Sequence, residues 1–531
     1  MWLTAACAPI LTPFKTAHLT HLPTSAGRTS VAKSSLWETY GHDFGNQRYS
    51  PLAQINQENV HLLVPAYVAH TGVVGPLETS AIVTRSTIYL TTANDGVVAL
   101  DVRTGSTRWR KRPLSGNFVQ CCGQVNRGAA VSAAGDVVFI GRLDGVLEAL
   151  DGKTGDIRWA ETVADNAKGY SITMAPIVYH DLVIVGVGGG EFGIRGWLSA
   201  YSIDDGTRMW RWYVTDAYHW FGPSLRLRLD KRKFADLRTS ARLRTRFADS
   251  WKRGGGGIWT TPAIDDSRNY IYVVTGNPWP DFDGSRRPGD NLYTDCIVAL
   301  DASSGRLKWY FQETPHDEQD LDSASPPVLF DTVDSAGHTV AAVGEAGKTG
   351  IFYVLNRDSG RLLRRTRSVA SFGAPAPATK VWEGGTSWSP ISFDPRLGYV
   401  VVSAAQHLGR ASRLSLDQHA WATGYGTVSA VKVSTGEVVW QDKFDQGIVG
   451  GSASTAGGLT FVGEGSGYFD ALDTESGVRL WHFKIGPGVN APPAVFSENG
   501  KEYVAVAAGG NQQFGTKYGD EFITFRLTER R

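Results

Sequence analysis

An all-β protein, an eight-bladed β-propeller, is the architecture this sequence predicts. Three observations carry that expectation. A strand–turn–tryptophan unit recurs through the chain, its first copies lie 50 and 51 residues apart, and the 531 residues include 61 Gly and 17 Trp against 3 Met. That composition suits short strands joined by tight turns better than helix bundles. Units of this length that cannot bury both faces alone stack around an axis. A chain long enough for three or four ordinary domains is therefore expected to form one repeat fold.

The copies follow one another with a shared grammar. Alternating apolar residues form a strand ending in Asp or a substitute, a turn with Gly follows, and Trp stands four residues after that Gly. They read VVALDVRTGSTRW to Trp109, LEALDGKTGDIRW to Trp159, LSAYSIDDGTRMW to Trp210, IVALDASSGRLKW to Trp309, VSAVKVSTGEVVW to Trp440 and FDALDTESGVRLW to Trp481. A seventh, YVLNRDSGRLLR, keeps the turn but carries Arg364 where Trp is expected. Each Trp is expected to open the next strand and pack against the neighbouring repeat. Seven copies, with strands left over at both termini, give eight blades, the last closed by N- and C-terminal strands together. A two-sheet sandwich array is the competing arrangement; the regular recurrence of the Trp favours the ring.

One segment departs from the pattern. Between Leu225 and Arg253 lie eleven Lys/Arg and three Asp. Phe234, Leu237, Ala241 and Phe247 are expected to line one helical face there. This basic insertion, 225–253, reads as a solvated excursion from a blade or, alternatively, as a docking surface for an acidic electron-transfer partner. Residues 1–35 are set apart as an N-terminal segment. MWLTAACAPILTPF has no basic residue before its apolar run, and Thr4-Ala5-Ala6-Cys7 only loosely resembles a lipoprotein cleavage site, so a degenerate or missing export signal is expected. Residues 36–531 are expected to form a single domain.

Composition excludes several classes. Lys+Arg 53 against Asp+Glu 52 leaves a formal +1, so whole-chain charge argues for no nucleic acid and no anionic membrane as partner. Apolar residues at 42% and charged residues at 20% exclude wholesale disorder and allow a large core. No stretch of ~18 uncharged apolar residues predicts a transmembrane segment. Four Cys are too few for a disulfide-stapled scaffold, and no Cys-x-x-Cys-His occurs, so no covalent c-type haem is expected within the chain.

From Trp37 to Leu527 a series of short motifs stands in order: WETYGHDFGNQRYSPLAQIN, CCGQVNRG, GGGEFGIRGW, TGNPWP, RPGDNLYT, TPHDEQD and PPAVFSENGKEYVAVAAGGN. Together they resemble the pyrroloquinoline-quinone (PQQ)-dependent alcohol and methanol dehydrogenases, quinoproteins built on an eight-bladed propeller. The resemblance implies oxidation of a primary alcohol to the aldehyde, with metal-assisted hydride transfer to the quinone. It also implies a cation, Ca2+ or a lanthanide, and electrons passed to a cytochrome c.

The resemblance assigns roles residue by residue. Cys121 and Cys122, otherwise readable as two buried thiols, match a vicinal disulfide over one face of the quinone. Trp259, one of many tryptophans that sequence alone would place in a core, matches the indole on the other face, where a flat tricycle gains stacking. Arg127, Lys348, Glu78 and Thr173 match polar cofactor contacts, with Lys348 at the quinone oxygens. Glu191, Asn277 and Asp320 match the metal and catalytic set; without the resemblance, Glu191 and Asn277 read as loop caps in Gly-rich turns. Oxygen ligands suit a hard cation, which acts as a Lewis acid, and Asp320 is expected to take the alcohol proton as base. Asp322, two residues on, matches the extra ligand of lanthanide-dependent members and is counted with the metal set. Gln319, Gly188 and Ser387 depart from the family pattern. Cys296 is expected to be a buried thiol and Cys7 has no suggested role.

Two other functions are weighed. A polyol, sugar or polymeric-alcohol quinoprotein would share every motif, because variable loops shape the pocket mouth. A non-enzymatic propeller scaffold of the outer-membrane assembly lipoprotein type would need the repeat but neither the paired cysteines nor the carboxylate–amide–carboxylate set. The disulfide and the cytochrome acceptor together imply the periplasm.

Overall fold

The structure is a computed structural model that describes residues 35–223, 226–230, 232–371, 384–407 and 424–528. Cys7 and the rest of the N-terminal segment up to residue 34 lie outside the described residues. Eight sheets of four or five strands, mostly antiparallel, follow one another along the chain, over 82–111, 130–162, 177–213, 263–312, 328–365, 384–444, 452–484 and 494–527. They are the eight blades of a propeller, as the repeat predicts. The last blade is closed as expected. Three of its strands, Ala494–Glu498, Lys501–Ala508 and Gly519–Leu527, come from the C-terminal end, and Leu63–Gly75 adds its outermost strand from the N-terminal end.

The reason Trp follows the turn is visible between blades. Asp101 holds its own turn by accepting from the Arg103 and Thr104 amides at 3.0 and 3.1 Å. The Trp109 indole then reaches the equivalent turn of the next blade and donates Nε1–H to the Gly152 carbonyl at 3.0 Å. The same bond, again at 3.0 Å, joins Trp159 to Ile203, Trp210 to Ala302, Trp309 to Arg357 and Trp440 to Thr474. Each indole also lies flat against the Gly of that next turn, where no Cβ intervenes. The Gly and the Trp of the repeat are thus partners in successive copies. At closure Tyr67 takes the place of a Trp, packing on Gly105 and donating to the Val102 carbonyl at 2.9 Å. In the seventh copy Arg364 lies against Gly436 and donates to the Val333 carbonyl.

Gly305 illustrates the constraint. Its φ is +67°, and a Cβ there would stand 2.5 Å from the Trp210 ring. Gly305→Ala is expected to cost about 1–3 kcal/mol through overpacking and left-handed strain. The check is a lower urea midpoint with an unchanged slope; an unchanged midpoint would refute the interlock.

The basic segment folds differently in register from the expectation. Its helix spans Leu237–Arg246, with the Asp236 carboxylate capping the Thr239 amide at 2.8 Å. The side that packs carries Ser240 and Leu243, with Leu243 against Trp220, Phe221, Leu227 and Trp251. Phe234 precedes the helix and is 49% exposed, Leu237 is 62% exposed and Ala241 is exposed, so the expected apolar face is wrong for those three. The apolar patch of Trp220, Phe221, Leu227 and Trp251, within the connection between blades three and four, selects a different helical line.

Candidate functional site

Loops of several blades meet around two connected groups of side chains. The first is a slot floored by Trp259. This half-buried indole packs with Trp388, Ala405, Val449 and Phe514. The Arg127 guanidinium sits 5.3 Å from the Trp259 ring and 5.2 Å from the Trp388 ring. Arg127 pairs with Glu78 at 3.0 Å and donates to Thr173 Oγ1 at 2.9 Å. Glu78 in turn accepts from Asn511 Nδ2 at 2.5 Å. Burial raises the Glu78 pKa, and Arg127 and Asn511 oppose it. Four residues singled out in the sequence, Glu78, Arg127, Thr173 and Trp259, are therefore one contact network; Trp388 and Asn511 join it without having been foreseen.

The second group is acidic. Lys348 Nζ lies 2.7 Å from Asp320 and 2.5 Å from Asp322. The other Asp322 oxygen accepts from the Asn277 amide at 2.6 Å. The Asn277 side chain donates to Asp281 at 2.8 Å. Gly276 joins the two groups: a Cβ there would stand 2.5 Å from Asp322 Oδ1 and 3.2 Å from Trp259 Nε1, so no larger residue fits between them.

Local backbone explains how these loops are held. Asp320 itself has φ +60°, a conformation uncommon outside Gly and found at functional sites. Asp317 imposes it by accepting from the Gln319 amide at 3.0 Å and the Leu321 amide at 2.8 Å. The glycine run before Trp259 stitches neighbouring loops: Gly255 donates to the Ile194 carbonyl and Gly256 to that of Asn277, both at 2.9 Å. Gly255, at φ +76°, would place a Cβ 2.6 Å from the Asn277 carbonyl, so the loops of Glu191 and Asn277 close around it.

The sulfurs of Cys121 and Cys122 lie at bonding distance. They and a Glu191 carboxylate oxygen all fall within 4.8 Å of one another. Cys296 is a buried free thiol, as expected, and its enclosure pushes its pKa up.

Charge in the acidic group is not balanced. Glu191 stands exposed at the edge of its loop, and the protein packed around it, then the Asp281 and Asp322 charges, push its pKa up. Burial followed by Asp322 raises Asp281 to about 6, although Asn277 and Lys348 oppose it. Asp320 is raised well above the usual carboxylate range by burial first, with Lys348 drawing it down and Asp322 and Asp281 pushing it up. Asp281, Asp320 and Asp322 with one ammonium between them offer carboxylate oxygens of the kind a hard cation takes, with the Asn277 amide oxygen beside them. In the slot, Arg127 Nε, Thr386 Oγ1 and Trp388 Nε1 are buried without a hydrogen-bond partner among the described residues. Buried donors left so are costly, and an acceptor-rich planar group satisfies them. The residues present thus fit both a polycarboxylate quinone and a metal ion. Asp281, Thr386 and Trp388 were missed by sequence reasoning; Asp281 stands four residues after Asn277 in NPWPD, a weak signal, and EGGTSW offered none.

The chain matches, over 37–371 and 409–504, the family model of the PQQ-dependent glucose/ethanol/alcohol dehydrogenase β-propeller domain. It is 32% identical to the quinoprotein ethanol dehydrogenase of Pseudomonas aeruginosa, with 91% of this chain and 89% of that protein covered. It is 30% identical to methanol dehydrogenase [cytochrome c] subunit 1 of Paracoccus denitrificans, covering 89% of this chain and 83% of that one. A europium-containing methanol dehydrogenase superposes with a TM-score of 0.77 at 27% identity, over 93% of this chain and 99% of that chain.

Proposed function

From the premise that the chain belongs to the PQQ-dependent alcohol dehydrogenase family, we propose that it oxidises a primary alcohol to the aldehyde with Asp320 as the base. The enzyme class, a quinoprotein alcohol dehydrogenase, follows from the family itself. The observation that carries the finer reading is the meeting of Asp320, Lys348 and Asp322 beside the Trp259 slot through Gly276. The slot residues Glu78, Arg127, Thr173 and Trp259, with Lys348 of the acidic group, would hold the quinone, with a Cys121–Cys122 disulfide covering it. Glu191, Asn277, Asp320 and Asp322 would hold the cation, and Asp281 orients the Asn277 amide.

When bound, PQQ supplies a two-electron acceptor and the cation a Lewis acid. The chain's own work is positioning and proton transfer. Trp259 and Trp388 present flat apolar surface that excludes water. Lys348 beside Asp320 works against the burial that raises that carboxyl's pKa, favouring the ionised form that can take a proton. Asp320, held by the Asp317 bridge, accepts the hydroxyl proton of the alcohol at a carboxylate oxygen.

Residues 36–531 act in this reading as one catalytic domain, with 1–35 outside it. A cytochrome c acceptor is supported by the Paracoccus relative, methanol dehydrogenase [cytochrome c] subunit 1, and a vicinal disulfide suits the periplasm. Among the described residues no helix is long and apolar enough to cross a membrane. A polyol, sugar or polymeric alcohol remains the second substrate reading, since the mouth loops set that choice.

The test is reconstitution of the apoprotein with PQQ and either calcium or a lanthanide, followed by dye reduction with methanol, ethanol, glucose and polyvinyl alcohol. Turnover on a primary alcohol is expected; none with any alcohol and either ion would overturn the proposal. Asp322 separates the ions. Asp322→Ala removes an anionic oxygen, so lanthanide-supported turnover should fall by roughly tenfold or more while calcium-supported turnover falls less. Equal lanthanide rates in both proteins would defeat the lanthanide reading.

A further inference from the structure

The alcohol-oxidising site makes no use of the basic excursion. Residues 225–253 carry a formal +8, from eleven Lys/Arg and three Asp; the remaining 42 basic and 49 acidic residues leave a formal −7 on everything else. The segment's +8 exceeds the protein's formal +1, so the rest of the chain is net acidic. The segment's own acids are engaged within it. Asp230 accepts from the Arg232 and Lys233 amides at 2.7 Å, Asp236 caps the helix, and Asp249 pairs with Lys252 at 2.9 Å. Arg232, Arg238, Arg242 and Arg246 are exposed, and no ion pair with a described residue engages them. Phe234 and Leu237 are exposed on the same segment, and the Arg228 guanidinium sits 5.3 Å from the Phe234 ring.

The segment is fastened to all three loops that carry the acidic group. Arg253 donates to the Gly193 carbonyl at 3.4 Å, two residues from Glu191, and its guanidinium sits 4.1 Å from the Trp279 ring, two residues from Asn277. The His316 ring meets the Leu229 carbonyl at 3.0 Å, and Arg228 donates to the Pro315 carbonyl at 3.4 Å, at the start of the loop of Asp320. Trp220 and Trp251 pin the base of the segment, through bonds of 2.7 Å to Ser250 and 2.8 Å to Thr215. A partner seated on this excursion is consequently held against the rim of the redox site.

We propose that the excursion is the docking face for an acidic electron-accepting protein. This rests on the alcohol-oxidising reading given above. Oxidation of one alcohol to the aldehyde releases two electrons and two protons; two one-electron carriers docking in turn accept the electrons, and the protons pass to water. Exposed aromatic and aliphatic side chains beside arginines are what protein interfaces use. The +8 of this segment complements the negative face of an acidic protein. Charge of this kind steers encounter and weakens with salt.

The test compares the PQQ- and metal-loaded protein with R232Q/R238Q/R242Q/R246Q and with the charge-keeping variant carrying Lys at the same four positions. Binding of an acidic c-type cytochrome is measured across a salt series, with a basic c-type cytochrome and phosphatidylglycerol vesicles as alternative ligands. Expected are tight, salt-sensitive binding of the acidic cytochrome by the wild type and the Lys variant, and binding weakened about tenfold or more with a flattened salt dependence in the Gln variant. Dye-linked alcohol oxidation should be equal in all three proteins. Equal binding of the acidic cytochrome by the Gln variant overturns the proposal, as does a preference for vesicles or for the basic cytochrome. Failure of dye-linked oxidation in the wild type sinks the enzymatic reading instead, and the binding series still decides the docking face.

Discussion

Asp320→Asn should lower turnover on a primary alcohol by about 10²–10⁴-fold, the usual worth of a positioned general base. The substitution keeps the shape of the side chain, so the Asp317 bridge to the Gln319 and Leu321 amides and the left-handed backbone at this position survive. What is lost is the oxygen able to take a proton. Lys348 should keep its place through Asp322, 2.5 Å away, and the Arg127–Glu78–Thr173 network lies on the other side of Gly276. Cofactor absorbance is therefore expected to persist while the rate collapses. Turnover within a fewfold of wild type would remove Asp320 from the role of base. Loss of absorbance along with the rate would show that Asp320 acts first through the cation rather than as a proton acceptor.

The second large effect concerns the ring rather than the chemistry. Arg48→Ala is expected to cost at least ~3 kcal/mol, because several buried carbonyl groups lose their donor and each unsatisfied group costs about 1–3 kcal/mol. Arg48 is completely buried. It donates to the Tyr40 and Pro493 carbonyls at 2.5 Å and to the Ser452 carbonyl at 3.0 Å, and packs its guanidinium 5.1 Å from the Trp37 ring. One side chain thereby ties the N-terminal entry segment to the seventh and eighth blades, next to the short parallel pairing of Tyr49–Ser50 with Ser454–Thr455. Burial without a carboxylate lowers its pKa to about 10, so it stays charged at neutral pH. A denaturant midpoint close to wild type would show that closure depends on the Leu63–Gly75 strand alone.

The two effects differ in how visible they were beforehand. Asp320 stands in a compact motif, TPHDEQD, and its identity could be carried over by resemblance. Arg48 sits inside the motif WETYGHDFGNQRYSPLAQIN, yet nothing in its neighbours says that it will be buried among carbonyls from residues some 400 positions away. Asp281 lies between these cases: it is close in sequence to Asn277, yet only the fold turns its carboxylate onto that amide. The basic excursion was legible as charge, but its helical register was not. A helix with polar residues on most sides chooses its buried line from whatever apolar surface it meets, here Trp220, Phe221 and Trp251.

What the chain determined by itself is the local unit and its number: alternating strands, an Asp- and Gly-bearing turn and a Trp four residues on are all interactions within a few residues or with the next copy. Seven such units with leftover termini leave little choice but a closed ring of eight. Only the tertiary structure decided which distant side chains share a site. The pair Asn277 and Asp281, the pair Asp320 and Asp322, and Lys348 come from three separate loops, and a loop's reach depends on the angle between blades, on glycines that let backbones touch, and on a collar that holds neighbouring loops together. Contacts of that kind have no period in the sequence, so they become readable only when the ring is closed.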